Sequence, residues 1–317
     1  MLDLDEFLGS RVEREIVSLI RVLCDCTAAV SEILATTPVD HVGTANKFGD
    51  QQLTVDVDSD AKIFELLATS GLVSHAASEE EPEMRRLSQG GKFIVCSDPL
   101  DGSSIIDCNW SVGSIFGAWK CGGSGSLIGR TGRDQVLAAM AVYGPRTTLI
   151  CATDDLVFEL TKMGSNEWKV SSSFSACIRP TAKIFSPANL RAAQDLPGYS
   201  ALVDEWMRNR LTLRYTGGMV PDVASILTKK NGIFCSPVSE KAPAKLRLVF
   251  ECAPIAKIIE TAGGKALSGR TENESILDIK IRSMDDRVGI VCGSSDEVDK
   301  AVARVVEPAQ RVISSGA

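Results

Sequence analysis

Residues 98–104, which read DPLDGSS, place two aspartates three positions apart and follow them with a glycine and two serines. Such residues are common in solvated turns, because aspartate and serine hydrogen-bond the nearby backbone and glycine adopts unusual backbone angles. The same set could also do chemistry. Asp98 and Asp101 could bind a metal ion, and the backbone amides that follow could bind a phosphate. The segment alone leaves both interpretations open.

Other acids also follow apolar segments. Asp56 follows the alternating segment QLTV, and Glu79 and Glu80 follow LVSHAAS. Ligand sites in layered α/β proteins form where strands end. A charged run such as EEEPE, however, is more often a solvated turn.

Glu251 lies inside the apolar segment KLRLVFECAPIAKIIETAGG, which predicts a buried helix with a kink at Pro254. A buried carboxylate is costly unless it is paired or bound to a cation. Its partner could be Arg247, one helical turn earlier, or it could be a metal ion. Both alternatives remain open from this segment alone.

Convergence of these acids would bring together the negative charges of Glu79, Glu80, Asp98, Asp101 and Glu251. Several would have to take up protons unless cations compensated them. With two histidines and no CxxC pair among ten cysteines, oxygen ligands and therefore Mg²⁺ or Mn²⁺ are favoured over zinc. The Leu100 carbonyl could add a ligand. Water could then attack a phosphomonoester held between the metal and the amides of Gly102, Ser103 and Ser104.

The surrounding segments alternate between helical and strand patterns. Residues 10–35 predict an amphipathic helix, 52–60 a strand ending in acids, and 60–69 a helix. Further strands are predicted at 71–78, 92–98, 111–120, 135–144 (where AAMA could be helical), 147–153, 156–162, 232–237 and 288–294, and further helices near 199–209, 219–230, 245–261 and 296–306. The alternation predicts a layered α/β (α+β) protein with subdomains at 1–180 and 181–317.

Composition limits the classes of partner. The chain has 317 residues and a net charge of -7, so it has no general attraction for nucleic acid or anionic membranes. No apolar run is long enough to span a bilayer. Cysteines inside apolar runs indicate a reducing compartment, and the acidic start is unlike a targeting peptide. We therefore expect a cytoplasmic protein, or a plastid protein whose transit peptide was removed, that acts on a small molecule.

DPLDGSS, with SEE before it and FECAP…AGG after it, resembles the fructose-bisphosphatase family of Mg²⁺-dependent, lithium-sensitive sugar phosphatases. Four segments resemble the members that act on sedoheptulose 1,7-bisphosphate: YGPRTT (143–148), FSPANLRA (185–192), LRYTGGMVPDV (213–223) and APAKLRLVFE (242–251). The resemblance covers most of the chain. It implies a layered αβαβα sandwich, two or three Mg²⁺ per subunit (Mn²⁺ being possible) and a homodimer or a tetramer.

The resemblance also implies residue roles. The metal ligands would be Glu79, Glu80, Asp98, the Leu100 carbonyl, Asp101 and Glu251. Asp56 and Glu80 would orient and deprotonate the attacking water. The 1-phosphate would bind at Asp101, Gly102, Ser103 and Ser104. The distal phosphate would bind Asn189, Tyr215, Lys245 and Arg247, with Arg214 reaching across the subunit interface, while the sugar would contact Gly217, Gly218 and Met219.

The distal set has weaker support from the residues themselves. On an ideal helix Lys245 and Arg247 point to roughly opposite sides, so KAPAKLR could equally be a solvated helix start. Two positions depart from the family pattern. The loop HVGTAN (41–46) lacks the redox cysteine pair of plastid members. Ser236 stands where fructose bisphosphatases tend to have tyrosine, which fits a longer sugar, although a surface loop residue explains it equally well.

The sequence therefore predicts Mg²⁺-dependent hydrolysis of the 1-phosphate of sedoheptulose 1,7-bisphosphate, which yields sedoheptulose 7-phosphate and phosphate. One alternative is a fructose 1,6-bisphosphatase or an enzyme that accepts both sugars. An inositol-phosphate or nucleotide phosphatase would share the metal motif but should lack the distal basic set. A catalytically silent metabolite-binding protein is the alternative from another class.

Overall fold

The computed structural model describes residues 2–45, 51–164 and 167–314. Its helices are α1 (Leu4–Leu8), α2 (Arg14–Thr36), α3 (Thr54–Thr69), α4 (Pro197–Arg208), α5 (Met219–Lys229), α6 (Ala253–Thr261) and α7 (Ser295–Ser314). Its first strands are β1 (His41–Ala45), β2 (Gln51–Leu53), β3 (Val73–Ser78), β4 (Arg85–Arg86), β5 (Phe93–Asp101), β6 (Val112–Lys120), β7 (Gln135–Tyr143), β8 (Thr147–Ala152), β9 (Val157–Met163) and β10 (Glu167–Ser173). The later strands are β11 (Ile184–Pro187), β12 (Thr212–Leu213), β13 (Ile233–Ser236), β14 (Lys265–Leu267) and β15 (Ile290–Gly293).

Two sheets organise the described chain. The larger has eight strands in the order β10-β9-β8-β7-β6-β5-β3-β4, and the smaller has five in the order β12-β11-β13-β15-β14. In the larger sheet β3 and β5 are parallel, whereas the other neighbouring pairs are antiparallel. A separate pair, β1-β2, precedes α3. The parallel pair matters for the site, because parallel strands end at the same edge of a sheet.

Three buried clusters separate five layers. The first packs α1, α2 and α3 against one face of the larger sheet. The second fills the space between the two sheets and contains α5 and α6. The third packs α4 and α7 on the outer face of the smaller sheet. The order is therefore α, β, α, β, α, which confirms the predicted layered sandwich.

Alternation along single strands produces these clusters. On β7, Ala138 and Met140 face the middle layer, whereas Leu137 and Ala139 face α2 and α3. Because side chains on a strand alternate between its two faces, a strand buried on both sides is apolar throughout. This explains why the AAMA segment of β7 is a strand although its composition also suits a helix. The middle cluster includes residues from both halves of the chain, so the proposed division at residue 180 does not give two separate cores.

The prediction of a strand over 52–60 is wrong beyond Leu53. Helix α3 begins at Thr54, and the Asp56 carboxylate accepts the Leu53 N–H at 2.9 Å. This hydrogen bond satisfies a donor at the helix start, as a helix-capping acid does. The apolar alternation of Leu53, Val55 and Val57 was too short to distinguish the two structures.

The predicted helix over 245–261 is also partly wrong. Residues before Leu248 are extended, a π-helical turn covers Leu248–Cys252, and α6 follows with Pro254 in its first turn. Arg247 has φ -93° and ψ 139° and bridges to Arg287. The predicted loop at 40–50 contains strand β1, and Asn46 lies outside the described residues.

The other predicted elements are confirmed within a few residues, except that α7 runs on to Ser314, well beyond the predicted end at residue 306. All ten cysteines are free thiols, and seven of them are buried: Cys24, Cys26, Cys96, Cys151, Cys235, Cys252 and Cys292. Within the described residues, no helix combines the length and apolar character that crossing a membrane requires.

Candidate active site

The parallel pair β3 and β5 brings two acidic segments to one edge of the larger sheet. Ser78, the last residue of β3, lies beside Ser97 of β5. The Glu79 N–H donates to the Ser97 carbonyl at 3.0 Å, so Glu79 directly continues this pairing. Asp98 follows in β5, and its carboxylate accepts the Leu100 N–H at 3.0 Å. Two distant sequence segments thus place their acids side by side.

Glu251 joins this edge from the layer between the sheets. Carboxylate oxygens of Glu79, Asp98 and Glu251 lie within 4.8 Å of one another. Asp98 and Glu251 are buried and Glu79 is half-buried. The carboxylate of Glu251 also accepts the backbone N–H of Arg247 at 2.6 Å. The three acids form what we call the acid cluster.

Burial and mutual repulsion dominate the electrostatics of the acid cluster. The pKa of Asp98 is raised well above its usual value, first by burial and then by the charges of Glu79, Glu251 and Asp101. Burial and the charge of Glu79 likewise raise the pKa of Glu251. Without a cation these groups would hold protons. Oxygen donors at this spacing and burial fit a hard divalent cation.

Asp101 has a different surrounding from the three acids of the cluster. Its two carboxylate oxygens accept the N–H groups of Met219 at 3.2 Å and Val220 at 2.7 Å, which open helix α5. Burial raises the pKa of Asp101 to about 6, and these two bonds oppose the rise. Asp101 therefore joins the end of β5 to the start of α5. Its part in metal binding stays a prediction, as does that of the Leu100 carbonyl.

A cavity of about 540 Å³ opens over the acid cluster. Its lining combines acids with serine and basic side chains, namely Asp56, Glu79, Glu80, Ser103, Ser104, Asp107, Lys245, Arg247, Glu251 and Arg287. Lys245 and Arg247 both line it, and they precede the π-helical turn that begins at Leu248, so neither lies on a helix. The objection from an ideal helix, that these two side chains diverge, therefore does not hold.

The contacts of Arg247 show whether it is the ion-pair partner of Glu251. The Arg247 guanidinium is buried and pairs with Glu79, and its Nε lies 3.3 Å from Asp285. Glu251 receives the backbone N–H of Arg247 and no side-chain ion pair of the predicted i, i+4 kind. The positive side chain thus lies against the acid cluster, where it offsets part of its charge.

Asp56 and Glu80 lie together in the same cavity. Burial raises the pKa of Asp56 to about 7; the hydrogen bond from Leu53 opposes this rise and the charge of Glu80 adds to it. Asp60, one helical turn later, also has a pKa raised by burial to about 7. Sequence analysis overlooked Asp60 because the wrong strand assignment hid its i+4 spacing from Asp56.

The residues predicted for the distal phosphate are divided between two places. Lys245 and Arg247 line the cavity, whereas Asn189, Arg214 and Tyr215 are absent from its described lining. The Asn189 amide donates to the carbonyls of Pro237 at 2.7 Å and Ala242 at 3.1 Å. Arg214 and Tyr215 follow edge strand β12, and Tyr215 is 43% exposed. A site completed by a second subunit would make use of such an exposed edge.

The predicted sugar-binding turn packs directly against the predicted phosphate loop. Gly102 has φ +89°, and a Cβ atom there would lie 3.4 Å from the Gly218 Cα. A Cβ atom at Gly218 would in turn lie 3.3 Å from the Asp101 carboxylate. The two glycines let the turn of Gly217, Gly218 and Met219 approach the end of β5.

Asp222 is a residue that sequence analysis did not single out. It is 1% exposed, and one carboxylate oxygen accepts the Thr216 N–H at 2.9 Å. Its other oxygen has no hydrogen-bond partner among the described residues. Burial raises the pKa of Asp222 to about 7. Asp222 thereby holds the 216–218 turn, and the only sequence signal was an acid in the first turn of an apolar helix.

The raised pKa values predict how stability depends on pH without metal. Carboxyls with a folded-state pKa above the unfolded value of about 4 stabilise the fold at low pH and lose that contribution as pH rises through the folded pKa. In chelator, the free energy of unfolding should therefore contain a component that falls from about pH 4 to pH 8. Asp98→Asn removes one such group, so urea unfolding should show a smaller fall in the variant.

Added Mg²⁺ should reduce the fall in the wild type, because it stabilises the ionised carboxyls. Groups away from the acid cluster titrate equally in both proteins, so the difference between wild type and variant reports Asp98 together with its charge coupling to Glu79, Glu251 and Asp101. Parallel pH curves for the two proteins, with and without Mg²⁺, would contradict the electrostatic description of the acid cluster.

Comparison with known proteins agrees with this geometry. The model of the fructose-1,6-bisphosphatase N-terminal domain matches residues 10–170, and that of the C-terminal domain matches residues 178–306. The chloroplastic sedoheptulose-1,7-bisphosphatase of Spinacia oleracea is 40% identical over 93% of this chain and 76% of its own length. A class 1 fructose-1,6-bisphosphatase of Geobacter sulfurreducens is 36% identical over 90% of both chains.

Solved structures give the same result. A crystal structure titled as a putative sedoheptulose-1,7-bisphosphatase from Toxoplasma gondii matches with a TM-score of 0.91 and 41% identity, covering 97% of this chain and 99% of its own. The holo form of Leishmania major fructose-1,6-bisphosphatase matches with a TM-score of 0.87 and 30% identity, covering 95% and 98%. The chain therefore belongs to the fructose-1,6-bisphosphatase family.

Proposed function

We propose that the chain hydrolyses the 1-phosphate of sedoheptulose 1,7-bisphosphate, using Mg²⁺, and releases sedoheptulose 7-phosphate and phosphate. One observation carries the chemistry. Three carboxylates lie within 4.8 Å of one another, at a cavity that also presents serine and basic side chains. Carboxylates with raised pKa values that cluster at a cavity are typical of functional sites.

The residues of the acid cluster, with Glu80, Asp101 and the Leu100 carbonyl, would hold two or three Mg²⁺ per subunit, and Mn²⁺ would suit the same oxygen donors. Bound metal would supply positive charge that holds the phosphate and polarises the attacking water. Arg247 has a supporting part here. Its pairing with Glu79 keeps that carboxylate in place at the rim of the cluster.

Asp56 and Glu80 are the proposed acceptors of the proton of the attacking water. A general base works best when its pKa lies near the working pH. Burial raises the pKa of Asp56 to about 7, which meets this condition. The two side chains share the cavity with the acid cluster, so a water held there would have an acceptor close by.

Ser103 and Ser104 would bind the 1-phosphate through backbone amides and hydroxyls. They begin a short 3₁₀ helix, Ser103–Cys108, and Gly102 precedes it with a left-handed backbone. At such a start the first N–H groups have no partner inside the helix and point outward. Asp101 would fix the loop by its bonds to the amides of α5.

Lys245 and Arg247 supply positive charge in the cavity, and the distal phosphate would bind there. Asn189 and Tyr215 would complete that end, with Arg214 contributed by a second subunit. This assignment makes a homodimer or tetramer the functional form, because Arg214, which follows edge strand β12 and is absent from the described cavity lining, would reach the site of a neighbouring chain. Gly217, Gly218 and Met219 would contact the sugar between the two phosphates.

A seven-carbon substrate is supported by the relatives and by one residue. The plant relatives are named sedoheptulose-1,7-bisphosphatases, and Ser236 occupies the end of β13 next to Pro237, whose carbonyl binds Asn189. A small side chain there leaves more room than a tyrosine. The bacterial relatives named fructose-1,6-bisphosphatases support the alternative of a six-carbon or dual substrate.

A cytoplasmic location stays a proposal, since the relatives named sedoheptulose-1,7-bisphosphatases are named as chloroplastic.

Loss of a single site carboxylate tests the chemistry. Asp98→Asn or Glu80→Gln should lower kcat by roughly 10³-fold or more, because a metal ligand or the proton acceptor is lost. Phosphate release from sedoheptulose 1,7-bisphosphate measures this directly. Asp58→Asn is a matched control, since Asp58 is exposed on the outer side of α3, and it should keep normal activity. Near-normal turnover in both site variants would overturn the proposed function.

Sugar length is tested by a paired assay. We expect the wild type to have a higher kcat/KM for sedoheptulose 1,7-bisphosphate than for fructose 1,6-bisphosphate. Ser236→Tyr, which introduces the residue that fructose bisphosphatases tend to have at this position, should reduce this preference by roughly tenfold. Ser236→Ala should leave the ratio unchanged. A wild-type preference for the six-carbon sugar would favour the alternative substrate and leave the metal chemistry intact.

A further inference from the structure

A second cavity, of about 350 Å³, lies beside the active site. Four basic side chains line it: Arg270, Lys280, Arg282 and Arg287. This concentration is unusual for a chain whose net charge is -7. None of the residue roles considered above uses the first three of these cations.

The acids that line the second cavity are already engaged. Glu274 accepts the Ser268 hydroxyl. Asp278 pairs with Arg133, one bond measuring 3.0 Å. Asp286 accepts the N–H groups of Arg282 at 2.7 Å and Ser283 at 3.1 Å. The hydrogen-bonded oxygens of these acids therefore bind groups other than the basic side chains of the cavity.

Three of the four cations, in contrast, have no acidic partner among the described residues. No acidic side chain of the described chain lies at ion-pair distance from Arg270, Lys280 or Arg282, and the Arg270 guanidinium donates to the Arg287 carbonyl at 3.4 Å. Arg287 itself pairs with Asp285 at 3.1 Å. Among the described residues, Arg270, Lys280 and Arg282 thus line the cavity without an ion-pair partner, whereas of its three acids only Asp278 is neutralised by an arginine, Arg133. Guanidinium and ammonium groups so placed favour phosphate or carboxylate oxygens.

We propose that the second cavity binds a small polyanion that carries phosphate or several carboxylates, and that this site is separate from the active site. The wall between the two cavities is a pair of extended segments. The Leu248 N–H donates to the Asp286 carbonyl at 2.7 Å, and the Val288 N–H to the Leu246 carbonyl at 3.0 Å. Leu246 lines the active-site cavity, whereas Leu248 and Val288 line the second one.

The same wall connects the two sites physically. It includes Arg247, which pairs with Glu79 of the acid cluster, and Arg287, which lines both cavities. A polyanion in the second cavity would therefore lie one backbone segment away from the residues that surround the metal ligands. Such a position suits an anionic metabolite whose concentration would influence the active site.

Equilibrium dialysis of the magnesium-loaded full chain with radiolabelled inorganic phosphate tests the proposal. We expect the wild type to bind one phosphate per chain in the second cavity, in addition to phosphate at the two positions proposed for the active site. Lys280→Ala with Arg282→Ala should weaken phosphate binding in the second cavity by about tenfold or more, because two charge-assisted contacts are lost. The charge-preserving pair Lys280→Arg and Arg282→Lys should retain it, which also guards against misfolding of the alanine variant. Tricarballylate in a parallel series tests whether carboxylates suffice.

A matched control is Lys62→Ala with Arg208→Ala, which removes the same charge from exposed helical positions and should bind as many phosphates as the wild type. Binding in which wild type and the alanine pair are indistinguishable, for both phosphate and tricarballylate, would overturn the proposal. Neither result depends on turnover. Failure of the second site is therefore distinguishable from failure of the proposed hydrolysis.

Discussion

Repulsion among buried carboxylates is the constraint on which this structure depends. Glu79, Asp98 and Glu251 have oxygens within 4.8 Å of one another, and burial together with their mutual charge raises the pKa values of Asp98 and Glu251. Such an arrangement lowers the free energy of unfolding when all three carboxylates are ionised. A fold that maintains it without a cation would sacrifice stability, so the cluster makes sense as a site that divalent metal completes.

The architecture supplies each acid by a separate route. The parallel pairing of β3 and β5 aligns Glu79 with Asp98, and a π-helical turn presents Glu251 from the middle layer. Asp101 then joins the sheet to α5, and Asp222 joins α5 to the turn before it. The residues proposed to bind metal, phosphate and sugar are thus mounted on elements that are packed against each other, as preorganised sites require.

Much of the fold and of the metal site could be predicted from the sequence. Period-two and helical patterns gave most elements, and DPLDGSS with the acids at 79, 80 and 251 indicated the cavity lining. Local sequence patterns were insufficient where one specific hydrogen bond or backbone pairing determines the secondary structure. A hydrogen bond from Leu53 to Asp56 starts α3 in a segment that alternates like a strand. The backbone of residues 246–248 pairs with that of residues 286–288, which keeps the residues before Leu248 out of the helix. The role of Asp222 becomes visible only through its contact with Thr216.

Anomalous diffraction from crystals soaked in Mn²⁺ is the most direct measurement of the central claim. We expect a strong peak between the carboxylates of Glu79, Asp98 and Glu251, with oxygen distances near 2.2 Å, about the range for a hard divalent cation. A map without a peak at this cluster, from crystals that show the metal bound elsewhere, would contradict it.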